Sequence, residues 1–209
     1  RPNLIHEDGG FRGGFEKDLI EIGGKLGRAV INSLRNSIKE DLISIQTRTK
    51  KIMLNLDYEA KDKKTTRVIR SNSSEGRQIN QELMHKAFSI WDTWIKEMYP
   101  KTKPSKIPFE IQTISFSKKT ALVALPGEIF IDSGHNITRK SPFSNTIVVG
   151  YSNGSVGYIP TSEAIEQGGY EIDDAYKLYF LPAPFVKNTA EQIEESSVDL
   201  LKEIYYSIE

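Results

Sequence analysis

Apolar positions at Leu19, Ile22, Leu26, Val30 and Leu34 recur every three or four residues, which predicts an amphipathic helix over 16–38. Gly23, Gly24 and Gly27 interrupt that pattern, and glycine is a poor helix former, so they predict close backbone packing on this face. Residues 42–56 read as strand at both ends, Leu42-Ile43-Ser44-Ile45 and Ile52-Met53-Leu54. The charged stretch 57–77, with Lys61, Asp62, Lys63, Lys64 and Ser71-Asn72-Ser73-Ser74, reads as a solvated surface loop without chemistry of its own. A second helix is predicted over about 77–98, with Ile79, Leu83, Ala87, Phe88, Trp91, Trp94, Ile95 and Met98 on or near one face. That spacing is what a buried face requires, so core packing is expected there rather than a ligand platform.

Beyond a proline-rich connector at 101–108, two strands are expected at about 109–116 and 120–125, joined by a turn at Lys118-Lys119. Pro126-Gly127-Glu128 then reads as a turn and about 129–139 as a short helix. Thr146-Ile147-Val148-Val149-Gly150 reads as a strand buried on both faces. A glycine-bearing loop (Asn153, Gly154, Gly157), a short helix at about 161–167 and an irregular stretch up to Phe185 follow. The last helix is expected from Thr189, with Thr189 and Gln192 as a capping box and Ile193, Leu200, Leu201 and Ile204 on one side. Strands alternating with helices predict an α/β fold, a mixed β-sheet flanked by helices.

Composition narrows the function. Among 209 residues, 28 Lys+Arg balance 28 Asp+Glu, and this lack of a basic excess argues against nucleic acid as a partner. No apolar run reaches the roughly 18–20 residues that a transmembrane helix needs. The absence of cysteine excludes disulfides, thiolate metal ligands and thiol catalysis. His6, His85 and His135 are the only imidazoles, too few and too scattered for a histidine-built metal site, and they read as loop, helix surface and helix surface. The opening at Arg1, a loop-like stretch without an initiator Met, predicts that the chain is a piece of a longer polypeptide.

The strand-helix-strand unit at 121–150 carries the sharpest expectation. If its strands are parallel neighbours, both end on one edge of the sheet, and ligands in such sheets bind outside the carboxyl ends. Leu125-Pro126-Gly127-Glu128 leaves the first strand there and Tyr151 to Tyr158 leaves the second, so Glu128 and Tyr158 are expected to face one crevice.

Four segments in order, Ala-Leu-Pro-Gly-Glu (124–128), Asn-Thr-Ile-Val-Val-Gly (145–150), Val-Gly-Tyr-Ile-Pro-Thr-Ser-Glu (156–163) and Glu-Gln-Gly-Gly-Tyr-Glu (166–171), resemble the neutral/alkaline non-lysosomal ceramidase family. The resemblance implies that 1–209 is the carboxyl-side part of that family's catalytic domain, incomplete without an amino-terminal portion. It also implies a zinc amidase that cleaves the N-acyl bond of ceramide or a related lipid amide. Glu128 and Tyr158 match the family's glutamate and tyrosine zinc ligands, and Tyr170 matches a tyrosine beside the scissile amide. The two histidine ligands would come from upstream of residue 1, because His6, His85 and His135 match neither histidine motif. The implied partners are the upstream part of the same polypeptide, a lipid amide and a membrane surface. The implied location is secreted, periplasmic or surface-associated.

Elementary chemistry is compatible with these roles. A carboxylate oxygen is an ordinary zinc ligand, and a bound divalent cation lowers the pKa of a phenol enough for it to ligate. A nearby tyrosine hydroxyl can donate to an oxyanion. The residues themselves leave a second reading open, a non-catalytic binding or interaction domain with a degenerate metal site. In that case Glu128 caps the following helix, and Tyr158 and Tyr170 pack with their hydroxyls in water.

Overall fold

Residues 3–5, 11–41, 45–60, 74–102 and 104–208 are described by a computed structural model. They form two units. The first is built on β1 (Asn3–Ile5), β2 (Phe11–Gly13) and α1 (Glu16–Arg35), with β1 and β2 antiparallel. The amphipathic helix therefore forms where the periodicity placed it. Among the described residues its apolar row does not find the packing that its glycines predicted. Leu19, Leu26, Val30 and Leu34 are exposed, and a Cβ placed on Gly23 or Gly27 would meet nothing within 4 Å among the described residues. Periodicity reports which positions share a face, not what lies opposite them.

The second unit holds a four-stranded mixed sheet in the order β3 (Gln46–Asn55), β4 (Lys106–Ser115), β5 (Thr120–Ala124), β7 (Asn145–Val149). The first two pairings are antiparallel and β5 with β7 is parallel. The expected α/β class with a mixed, helix-flanked sheet is what the chain adopts. The β4–β5 hairpin closes where Lys118-Lys119 predicted it, with the Ser117 hydroxyl accepting from the amides of Lys119 and Thr120 at 3.0 Å each. Strand β3 contains the predicted Ile52-Met53-Leu54, whereas residues 42–44 of the predicted Leu42–Ile45 segment lie outside those described. Of the stretch 57–77 read as a surface loop, 61–73 lies outside the described residues and the last four residues are helical, because α2 begins at Ser74.

Alternation along β4 sends Phe109, Ile111, Thr113 and Ser115 to one face, and all four are buried. Helix α7 (Thr189–Ser207) packs on β3 and β4, while α3 (Ile131–Lys140) packs on β7 and α7. Ile193, Leu200, Leu201 and Ile204 of α7 are buried, as their spacing predicted. The predicted capping box is not formed. Thr189 is the first helical residue, its hydroxyl donates back to the Val186 carbonyl at 2.7 Å, and Asn188 in the left-handed region is the cap.

Helix α2 (Ser74–Thr102) buries Trp91 and Ile95, and the Trp91 indole N–H donates to the Leu181 carbonyl at 2.8 Å. Trp91 of the aromatic stripe is therefore core, Trp94 packs half-buried against it and Phe88 is half-buried, while Leu83 on the same helix is exposed. The strand expected to be buried on both faces is instead an edge. Among the described residues β7 pairs only with β5, and Ile147 is 51% exposed. A β-branched run signals strand, but it does not distinguish a central strand from an edge one. Among the described residues no helix is long and apolar enough to cross a membrane.

Phe109 is fully buried and faces Ile52 across the β3–β4 ladder. Phe109→Ala should cost about 3–5 kcal/mol in urea unfolding. Met53→Ala, on the exposed face of the same ladder, should cost about 1 kcal/mol or less. Equal losses would contradict the one-sided core.

Candidate functional site

The carboxyl ends of β5 and β7 lie side by side, with Ala124 opposite Val149. Each strand then turns into the same space. Leu125 extends the ladder by donating to the Val149 carbonyl at 2.9 Å, and Tyr151 donates its amide to the Gly127 carbonyl at 2.9 Å. A third segment joins when Val156 donates to Pro126 at 2.9 Å and Glu128 to Gly157 at 2.8 Å. The result is a short parallel pair, β6 (Glu128–Ile129) with β8 (Tyr158–Ile159), in which Glu128 stands directly opposite Tyr158. The two residues expected to share a crevice are neighbours across one ladder.

Two glycines permit this approach. A Cβ on Gly150 would lie 2.9 Å from the Gly127 carbonyl oxygen, too close for any L side chain. Gly157 has φ +103°, and a Cβ there would press to 3.1 Å from the ring of Tyr179. Tyr151 itself adopts φ 54°, an unfavourable left-handed conformation for a bulky residue, and presents its phenol to the site.

Glu128 is half-buried, with the hydroxyls of Tyr151, Tyr179 and Tyr158 directed to its carboxylate. The Tyr179 hydroxyl donates to Glu128 Oε1. Burial pushes the carboxyl upward, but the three hydroxyls outweigh it and hold Glu128 below its ordinary 4.5. The phenols move the opposite way. The hydrogen bond to Glu128, followed by burial, raises Tyr151 to about 12. Burial and then the bond to Glu128 raise Tyr158 and Tyr179. Burial and the Glu128 charge raise Tyr170.

Tyr170 opens α5 (Tyr170–Asp173), preceded by Gly168 and Gly169 at positive φ. Its ring meets Tyr158 edge-on with centroids 6.3 Å apart, and Tyr158 meets Phe130 in the same way at 6.4 Å. All three residues singled out in the sequence therefore lie in one cluster. Glu128 is not the cap of α3, because Phe130 occupies that position and no side chain caps the helix.

Tyr151 and Tyr179 were missed. Tyr151 immediately follows the second strand, so the rule about carboxyl ends could have found it, whereas nothing local marks Tyr179.

The donors suit a cation in part. Glu128 and Tyr158 offer a carboxylate and a phenol oxygen, half of a four-donor zinc shell. Among the described residues no group of three His, Cys, Asp or Glu could hold a metal. His85 and His135 are exposed on α2 and α3, and His6 lies outside the described residues.

No family model and no curated protein matches the sequence. Among solved structures, the chain is similar to the neutral ceramidase from Pseudomonas aeruginosa, with 14% identity and a TM-score of 0.45 over 82% of this chain. The match spans 30% of that chain.

A carboxyl held low in the fold adds stability above its unfolded pKa, and that stability disappears as pH falls through the folded value. Wild type should therefore exceed Glu128→Gln in urea midpoint near neutrality, with the gap closing as pH drops below 4.5. A gap independent of acid pH would contradict the network. Phenols held high act in reverse, so their contribution is complete below pH 10 and fades as alkali titrates them, at about 12 for Tyr151. Gly157→Ala, strained at φ +103° and pressed on Tyr179, should cost about 1–3 kcal/mol in the same assay.

Proposed function

We propose that this chain is part of a zinc-dependent amidase that hydrolyses the N-acyl bond of ceramide or a related lipid amide. The observation that supports it most is the direct pairing of Glu128 with Tyr158, with Tyr170 packed against Tyr158, because these are the residues that the family resemblance assigns to metal and substrate. In this reading Glu128 and Tyr158 hold the ion, and two histidines from the upstream part of the polypeptide complete the shell. When bound, zinc supplies a Lewis acid that polarises the amide carbonyl and activates water.

The chain's own residues divide the remaining work. Glu128 stays ionised at neutral pH and presents negative charge to a cation. Tyr170, held protonated, donates its hydroxyl proton in a hydrogen bond to the oxygen on which charge develops during attack at the amide carbon. The rings of Phe130, Tyr158 and Tyr170 meet edge to face in sequence beside the donors.

The test uses the full-length polypeptide that carries this chain. Glu128→Gln and Tyr158→Phe should lose bound zinc and lipid-amide hydrolysis while keeping a folded circular-dichroism spectrum. Tyr170→Phe should keep its zinc and lose about 10²–10³-fold in kcat. Undiminished turnover in Glu128→Gln would sink the proposed role of Glu128, whereas a wild-type polypeptide that binds no zinc and hydrolyses no lipid amide would leave a binding domain on this scaffold.

A further inference from the structure

We infer that Tyr179 is a positioning residue whose hydroxyl fixes the Glu128 carboxylate in the orientation from which it engages a cation. Three observations converge on it. The first is the bond itself, in which the Tyr179 hydroxyl donates to Glu128 Oε1. The Ser155 side chain stands beside the same hydroxyl, and its Oγ accepts from the Gly157 amide at 3.4 Å. Gly157, Ser155, Tyr179 and Glu128 thus lie in one polar cluster, bonded at its two ends.

The second is the fit of the ring. Gly157 at φ +103° leaves room where a Cβ would stand 3.1 Å from Tyr179 Cγ and Cδ2. The base of the ring rests against the backbone just before Tyr158, and its hydroxyl reaches the residue paired with Tyr158. Both contacts refer to the same two-residue ladder, so Tyr179 measures the separation of the strands that carry the proposed ligands.

The third is the anchoring of the turn that presents it. Tyr179 and Leu181 both donate their amides to the Tyr176 carbonyl, at 3.2 and 3.1 Å, with Phe180 between them at φ 53°. Leu181 is buried, and its carbonyl accepts the Trp91 indole N–H. A strained backbone conformation persists only where the surroundings over-determine it, and here the core does so.

Tyr179 also differs from its neighbours in what it has left to do. Under the zinc-amidase reading, on which the functional part of this inference rests, Tyr158 gives its oxygen to the ion and can no longer donate to Glu128. Tyr151 is 63% exposed. Tyr179 lies outside the proposed ligand set, so its bond to the carboxylate survives occupation, and it is the better buried of the two phenols, Tyr151 and Tyr179, that can still donate. Partners of this kind orient metal-binding carboxylates, and losing one typically weakens metal binding about 10–100-fold.

Tyr179→Phe keeps the ring and removes the bond. In the full-length polypeptide, zinc competition against a chromophoric chelator should show binding weakened about 10–100-fold. At saturating zinc, kcat should fall while KM stays within about twofold, a split that general loosening of the fold would not produce. The metal-free protein supplies a readout that needs neither zinc nor turnover. In wild type, Glu128 should occupy one rotamer by crystallography and side-chain ¹³C relaxation, and in Tyr179→Phe it should occupy several. Gly157→Ala, which displaces the ring without deleting the hydroxyl, should shift the same observables in the same direction. A single unchanged Glu128 rotamer in metal-free Tyr179→Phe overturns the inference. If wild type takes up no zinc, the amidase reading falls by itself, and the rotamer comparison still decides the role of Tyr179.

Discussion

Three stretches of backbone meet at the carboxyl ends of β5 and β7, and the candidate site depends on how closely they approach. Gly127 accepts from Tyr151, Glu128 donates to Gly157, and Gly150 sits where a Cβ would collide with the Gly127 carbonyl. These contacts are between main-chain atoms, so side-chain adjustment cannot replace them. They place Glu128 opposite Tyr158 and turn Tyr151 toward the same carboxylate.

The electrostatic character follows from that geometry. One half-buried carboxylate is surrounded by phenols, and burial alone would favour its neutral form. The hydroxyls of Tyr151, Tyr179 and Tyr158 together exceed that penalty and keep it ionised. The same charge keeps the phenols protonated. The cluster is therefore an anion among hydrogen-bond donors. A divalent cation would reverse the preference of any phenol it touched, because it stabilises phenolate where Glu128 opposes it.

Much of the architecture was legible in the chain, for local reasons. The β4–β5 hairpin is a turn flanked by two apolar runs, and the buried side of α7 follows from its own spacing. The failures share a cause. The apolar row of α1 reads the same whether or not it is covered, and the 146–149 run reads the same in a central strand as at the edge it occupies. The expected capping box at Thr189 gave way because Asn188 in a left-handed conformation caps the helix, and Thr189 bonds backward to Val186.

At the site, the division is sharper. Sequence by itself determined that Glu128 and Tyr158 each follow an apolar strand of one strand-helix-strand unit, and they leave one sheet edge because the strands pair in parallel and so end together. Tyr170 was singled out only through the family resemblance, and its packing against Tyr158 comes from the fold. Only tertiary structure decided that Tyr151 and Tyr179 complete the cluster. The side chain of Tyr151 is aimed by a left-handed φ that its own residue type disfavours. Tyr179 comes from a turn tied through Leu181 to Trp91, a residue 90 positions earlier in the chain. Neither position is set by local propensity, since each follows from backbone contacts and core packing among segments distant in sequence.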